Sequence, residues 1–335
     1  MLDRVPGHTD LHVRTPLIPS TPLARIVGRP VYLKLENTQP TASFKLRGIA
    51  RLCSNAAAAG ATSIVSSSGG NAGLAAAYAA RRLGLRAQVV IPRPTPATMV
   101  ALIEAEGADV IVHGESWVDA DQRARAIVKG EGATYVSPFD HPDIWAGHST
   151  LVDEIADEIE APGCIVASAS GGGLLAGVLE GLARQRWTDT FVVAAQAAGA
   201  AALSAAMAAG HPVKLDRADT VARTLRATQI AQGAFDRLAG HDVRPRPISD
   251  LAALRACRRF VDDQRMVVEP ACGVALAAVY DRAPELLAAR SIVVVICGGA
   301  GITVTELDEH LARLEAEASE VASAAATFAP TGRAD

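Results

Sequence analysis

Lysine is scarce in this chain. Only four occur, at positions 34, 45, 129 and 214, and arginine carries nearly all the other positive charge. Aromatic residues make up 4%, too few for a platform of stacked bases. The formal net charge is −4 and there is no basic run, which argues against nucleic acid and anionic membrane surfaces as partners. The five cysteines, at 53, 164, 257, 272 and 297, are odd in number and widely spaced, without a CxxC. A disulfide framework and a zinc knuckle are therefore not expected. No apolar run reaches membrane-spanning length, and the N-terminal stretch has no apolar h-region, so a cytoplasmic protein without a signal peptide is predicted. Walker and G-x-S-x-G motifs are missing, and His141 and His148 are not at metal-ligand helical spacing. No metal site is expected.

What is present is an alternation of short β-branched runs with Ala/Leu-rich helical runs. Strands are predicted at 30–36, 63–67, 86–91, 109–113, 134–137, 164–168, 191–196 and 291–297. Helices are predicted at 44–58, 71–83, 95–106, 116–129, 142–160, 173–186, 199–209, 249–263 and 271–283. Strands separated by helices imply parallel pairing with right-handed crossovers. Apolar runs such as SIVVVIC (291–297) suit strands covered on both faces. The fold class expected is α/β. Seams near 40–45 and 138–149 suggest one lobe inserted into another: a large domain of 1–44 and 140–320, a small domain of 45–139, and a tail of 321–335 prone to fray.

Three turns rich in glycine or serine follow strands and open helices, where free backbone N–H groups and the helix dipole favour anions. SSSGGNAG (66–73) offers Ser68, Gly69, Asn71 and Ala72 around a bare turn, suited to a carboxylate. An ordinary capped turn is the plainer reading of that stretch alone. SGGGLLAG (170–177) offers Ser170, Gly171, Gly172, Gly173 and Leu174, suited to a phosphate. It also fits a loose dinucleotide fingerprint through Gly171, Gly173 and Ala176, but the next strand ends in Gln196 instead of the acid that a ribose needs. The third turn follows Cys297, either a small buried hydrophobe or a neutral hydrogen-bond partner at a strand's carboxyl end. Glu269, ahead of Pro270, reads most simply as the residue before a helix. Lys45 lies in TASFKLRG (41–48), and lysine, unlike arginine, can lose its proton and act as a nucleophile.

Taken in order, TASFKLRG, SSSGGNAG, SGGGLLAG, EPACGVALAAVY (269–280) and CGG (297–299) resemble the pyridoxal-phosphate enzymes of the tryptophan-synthase-β type. Within that group the chain looks like the L-serine/L-threonine dehydratases. PFDHPDIWAGH (138–148) and the stretch 21–45 resemble the short, single-module serine dehydratases. The resemblance covers about Leu11 to about Leu314. It implies two lobes, each a mostly parallel twisted sheet covered by helices, and pyridoxal 5'-phosphate as cofactor. It implies that Lys45 forms the Schiff base with the cofactor, Phe44 lies against the ring, Asn71 faces the ring hydroxyl oxygen and Cys297 meets the pyridine nitrogen. Ser170 to Leu174 would cradle the phosphate, and Ser68, Gly69, Asn71 and Ala72 would grip the substrate carboxylate, with Ser68 a candidate proton donor beside the catalytic Lys45. The activity implied is β-elimination of L-serine or L-threonine to an oxo acid and ammonia, by a homodimer.

Departures from the family pattern bear on the substrate more than the cofactor. Ser170 replaces the first of four glycines. Gln196 stands where relatives often carry an acid tied to a monovalent cation, and AAGAAALSAAM (197–207) is blander than its counterpart. No effector module is expected after residue 315. β-Replacement or racemisation on the same cofactor, and a silent ligand-binding protein on the same scaffold, remain as rivals to the ammonia-lyase.

Overall fold

The structure is a computed structural model that describes residues 11–327. Its strands are β1 (Leu17–Pro19), β2 (Val31–Lys34), β3 (Ser63–Ser66), β4 (Arg86–Ile91), β5 (Asp109–Val112), β6 (Thr134–Val136), β7 (Cys164–Ser168), β8 (Phe191–Ala197), β9 (Val243–Ile248) and β10 (Ile292–Val295). Its α-helices are α1 (Thr21–Val27), α2 (Lys45–Ala58), α3 (Asn71–Leu83), α4 (Ala97–Ala105), α5 (Trp117–Glu131), α6 (Pro142–Ala156), α7 (Gly173–Gln185), α8 (Ala202–Ala209), α9 (Gln232–Asp236), α10 (Asp250–Gln264), α11 (Pro270–Tyr280) and α12 (Val304–Thr327).

The strands form two sheets. The larger runs β1-β2-β10-β7-β8-β9 and the smaller β5-β4-β3-β6. Every pairing is parallel except β1 with β2. β7 and β10 are buried along their whole length, as their unbroken apolar runs require when helices cover both faces. One apolar core runs beneath both sheets. A smaller cluster of Val65, Val90, Ala120, Ala124, Ile127 and Ala133 sits under α5 on the other face of the smaller sheet.

β1 and β9 were not foreseen from sequence. β9 carries Pro245 and Pro247, which normally argue against a strand. It lies at the sheet edge, and residues two apart face the same way, so both prolines turn their missing N–H outward. β1 has only three residues, too few for a periodicity. Helix α12 enters the stretch expected to fray, and residues 328–335 of that stretch lie outside the described residues.

Two features dock α2, the helix that begins with Lys45, onto α6. The first is bare backbone contact. A Cβ on Gly48 would lie 2.5 Å from the Ile144 carbonyl oxygen, and one on Gly147 would lie 2.5 Å from the Gly48 Cα. The second is a buried charge network. The fully buried Arg47 guanidinium donates to Glu36 at 2.7 and 2.8 Å and to Glu154 at 2.6 and 2.7 Å. Lys34 donates to Glu154 at 2.6 Å and to the Thr15 carbonyl at 2.7 Å. Two cations and two carboxylates balance, which a water-free interior demands.

Candidate active site

The segments after β2, β3, β7 and β10 meet through the Ser43–Gly298 bridge, the Asn71–Glu269 bond and the Ser168–Ala271 bond, at the carboxyl ends of strands, where open parallel sheets bind ligands. Helices α1, α5, α6 and α10 each begin with a side-chain cap, from Ser20, Ser116, His141 and Ser249. Helices α4, α8 and α9 lack such a cap from the residue before them, and so do α2, α3, α7 and α11, whose preceding residues are Phe44, Gly70, Gly172 and Glu269. At α2 and α11 the first-turn N–H groups turn back on backbone carbonyls, Arg47 on Phe44 and Cys272 and Gly273 on Glu269, whereas the starts of α3 and α7 keep free N–H groups, which favour an anion. These four starts surround the predicted residues.

Lys45 is the first residue of α2. The residue is half-buried, and its amine donates to the Pro138 carbonyl at 2.5 Å. Burial pulls its pKa down to about 8, against the upward pull of Cys297 and Glu269. A substantial fraction is therefore neutral and nucleophilic near physiological pH. Phe44 precedes it, with its N–H on the Cys297 carbonyl at 3.0 Å and its ring edge-on to His148, centroids 4.8 Å apart.

Asn71 opens α3 and is buried. Its amide nitrogen lies 3.0 Å from both Glu269 oxygens. The Thr224 hydroxyl donates to the same carboxylate at 2.9 Å. Burial drives the Glu269 pKa up, although Asn71, Thr224 and the Gly301 N–H all favour the ionised form. The residue read from sequence as a simple helix lead-in thus turns inward and joins the site. The one available signal was its position ahead of Pro270, where a carboxylate could have capped the helix and does not. Thr224 carried no signal, because its stretch lacks any motif.

Around Gly298 the packing leaves no room for a side chain: a Cβ there would lie 3.0 Å from Ser43 Cβ and 3.2 Å from the Asn71 amide nitrogen. Cys297 is buried, with its sulfur 3.2 Å from that of Cys272. Cys272 in turn accepts the Gly298 N–H at 3.1 Å.

The glycine loop lies across the gap. Gly172 has φ 95°, a left-handed conformation suited to glycine. A Cβ on Gly171 would meet the Phe139 ring at 2.7 Å, and one on Gly173 would meet the Phe139 carbonyl oxygen at 2.7 Å. Because Pro138 holds Lys45 and Phe139 lies on the loop, segment 137–140 links the amine to the α7 N-terminus. The Ser170 hydroxyl oxygen accepts the Ala227 N–H at 3.1 Å and keeps its own proton free to donate. Leu174 is buried in the core. In the serine turn, Ser68 accepts the Gly70 N–H at 3.3 Å. Gly73 leaves space for the Ser68 carbonyl, which a Cβ would meet at 1.8 Å. Gly69 lies against Thr95, Gly70 faces Thr224, and Ala72 is buried in α3, so only its backbone can reach a ligand.

Gln196 lies outside this constellation. Its carbonyl accepts the Leu203 and Ser204 N–H groups at 2.9 and 3.3 Å, so a strand-end side chain caps α8, which Ala201 cannot do. Among the described residues no group of three or more His, Cys, Asp and Glu could hold a metal ion, and no helix is long and apolar enough to cross a membrane.

The site suits pyridoxal 5'-phosphate. It offers an amine with lowered proton affinity to suit the aldehyde and a helix start free of side-chain caps to suit the phosphate. Two buried polar atoms without a partner among the described residues, Asn71 Oδ1 and Ser43 Oγ, await ring or substrate polar groups.

Comparison with known proteins agrees. Residues 8–298 match the family model described as pyridoxal-phosphate dependent enzyme. The chain is 43% identical over 307 residues to an L-serine dehydratase/L-threonine deaminase of Mus musculus, covering 89% of this chain and 94% of that one. It is 42% identical over 305 residues to a serine dehydratase-like protein of Homo sapiens, covering 88% and 93%. A fungal L-serine ammonia-lyase from Rhizomucor miehei superposes with a TM-score of 0.85 at 35% identity, over 89% of this chain and 98% of that one.

Proposed function

The chain belongs to the family of pyridoxal-phosphate dependent enzymes, and from that premise we propose that it is an ammonia-lyase that deaminates L-serine or L-threonine by β-elimination. The observation that carries this reading is the Lys45 amine, with its pKa lowered to about 8, bonded to Pro138 next to the Phe139 that packs on the glycine loop of α7.

Lys45, Phe44, Asn71, Cys297 and the loop Ser170–Leu174 would hold the cofactor. When bound, the cofactor supplies an electron sink for the pair released as a bond at the substrate Cα breaks. The 68–72 turn binds the substrate carboxylate through Ser68, Gly69, Asn71 and the Ala72 backbone, at a helix start with no side-chain cap. Lys45 Nζ, in its neutral form, takes the Cα proton. As the Cβ–O bond breaks, the Ser68 hydroxyl passes its proton to the leaving β-oxygen, which departs as water, and the proton that Lys45 took from Cα returns to Ser68. The enamine product then hydrolyses in solvent to pyruvate or 2-oxobutanoate and ammonia. Burial lowers the proton affinity of Lys45, and Cys297 and Glu269 act in the opposite sense.

The assignment of residues 1–44 and 140–320 to a large domain and 45–139 to a small one is part of this proposal. The segregation of strands into two sheets supports it. A homodimer in the cytoplasm is also part of it, and five free, buried cysteines suit a reducing compartment. Incubation of the cofactor-loaded protein with L-serine and L-threonine should release oxo acid and ammonia in equal amounts. Absence of oxo acid from both substrates refutes the reading. Formation of D-serine, or of a β-substituted product, in its place would assign the chain to one of the rival chemistries.

A further inference from the structure

Ser67, the residue between the end of β3 and the expected carboxylate-gripping turn, is fully buried and tied to two other elements. Its hydroxyl donates to Asp121 Oδ1 on α5 at 2.9 Å and lies 3.0 Å from the Tyr135 hydroxyl on β6. Tyr135 donates to the same carboxylate oxygen. Arg125 donates to the other Asp121 oxygen at 2.8 Å, and its guanidinium sits 4.2 Å from the Tyr135 ring centroid. One carboxylate therefore gathers two hydroxyl protons and one guanidinium, and every member of the cluster is satisfied.

This cluster lies at the loop end of the small apolar patch under α5, formed by Val65, Ala120, Ala124 and their neighbours. That patch already fixes how α5 sits on the sheet. The polar cluster adds control over the chain path at one point, one residue before Ser68. From the other side, Gly73 leaves room only for the Ser68 carbonyl. The turn is thus held on both flanks, with no side-chain cap between them to absorb a shift.

We propose that Asp121 and Tyr135 are positioning residues for substrate binding, acting through Ser67 to hold the 68–72 turn in register with the amino-acid carboxylate. The inference rests on the reading that this turn grips the substrate. The cofactor loop, on α7, is not joined to the cluster by any hydrogen bond of its members.

The test compares Asp121→Ala, Asp121→Asn and Tyr135→Phe with the unaltered chain, using kcat, KM for L-serine, the absorbance of bound cofactor and the melting temperature. Asp121→Ala should raise KM about tenfold, as expected for losing one to two hydrogen bonds' worth of positioning. Its kcat should stay within about twofold and its cofactor absorbance should be unchanged. Asp121→Asn keeps the Oδ1 acceptor and should recover most of the loss, and Tyr135→Phe should fall between. An unchanged KM, with or without a lower melting temperature, would show that the cluster only stabilises the sheet and overturns the inference. If Asp121→Ala does not fold, Tyr135→Phe decides by the same criterion. An unaltered chain that loads cofactor but releases no oxo acid overturns the proposed function, and this inference with it; a defect confined to the variants speaks to the inference alone.

Discussion

Replacing Arg47 with methionine should destabilise the protein by about 3–5 kcal/mol, the cost of breaking a buried ion pair by removing one partner. The size follows from what surrounds it. The guanidinium makes six contacts within hydrogen-bond distance, to Glu36, Glu154, Thr15 and Thr150. Its side chain and those of Glu36 and Lys34 have 0% exposure, and that of Glu154 has 12%. Burial by itself would push the Glu154 carboxyl up, but the Arg47 and Lys34 bonds reverse the direction. Without Arg47, two carboxylates share one lysine in a largely buried space. At about 2.1 cal/mol/K of unfolding entropy per residue over the 335 residues, the loss corresponds to a drop of about 4–7 °C in the melting midpoint. The double variant Arg47→Met/Glu154→Met restores neutrality, leaving Lys34 and Glu36. It should cost less than the sum of the two single changes by at least about 1 kcal/mol. Denaturant unfolding of the four proteins measures both quantities. A loss under about 1 kcal/mol for Arg47→Met, or simple additivity in the double variant, would refute the account of α2 as anchored by charge. Because Lys45 shares the first turn of α2 with Arg47, the single variant should also release cofactor faster.

Two other outcomes are expected. Capture of added pyridoxal phosphate by the cofactor-free protein should speed up as pH rises through about 8 and then level off, because the neutral amine is the reactive form and burial lowers its pKa to that value. Stopped-flow absorbance across neutral to alkaline pH measures it, and a midpoint at the ordinary lysine value of about 10.4 would contradict the burial. The folded chain binds this proton less tightly than the unfolded one, so its contribution to apo-protein stability improves with pH between those two values. Gln196→Leu should cost about 1–2 kcal/mol by uncapping α8, whereas Gln196→Glu keeps both acceptor contacts and should cost less. Equal unfolding midpoints for the two would remove the capping role.

Much of the architecture was legible because strongly apolar β-branched runs and alanine-rich helices repeat at lengths that permit little else. The eight expected strands all occur, with ends shifted by a residue or two. The elements that escaped notice are those stabilised by position in place of pattern. β9 is a strand because β8 offers an edge on which Pro245 and Pro247 do no harm. Similarly, Lys45 and the three turns could be singled out from residue type and order, whereas the contacts of Glu269 with Asn71 and Thr224 and the Ser67–Asp121–Tyr135 cluster could not. Their partners lie far away along the chain: Asn71 and Glu269 are 198 residues apart, and Ser67 and Tyr135 are 68 apart.

The sequence by itself determined the chemistry available: a lysine where arginine is the rule, glycines where backbone must stay bare, and strands apolar enough to be covered on both faces. Those are local properties of residue type and spacing. Only the tertiary structure decided what each group does with its charge and its proton. The Lys45 pKa falls to about 8 because the fold desolvates its amine, Glu269 turns from helix lead-in to the partner of Asn71 and Thr224, and Gln196 becomes a cap because α8 begins beside it. Desolvation and hydrogen bonding act over a few ångströms in space, and a linear chain specifies those distances only after it has folded.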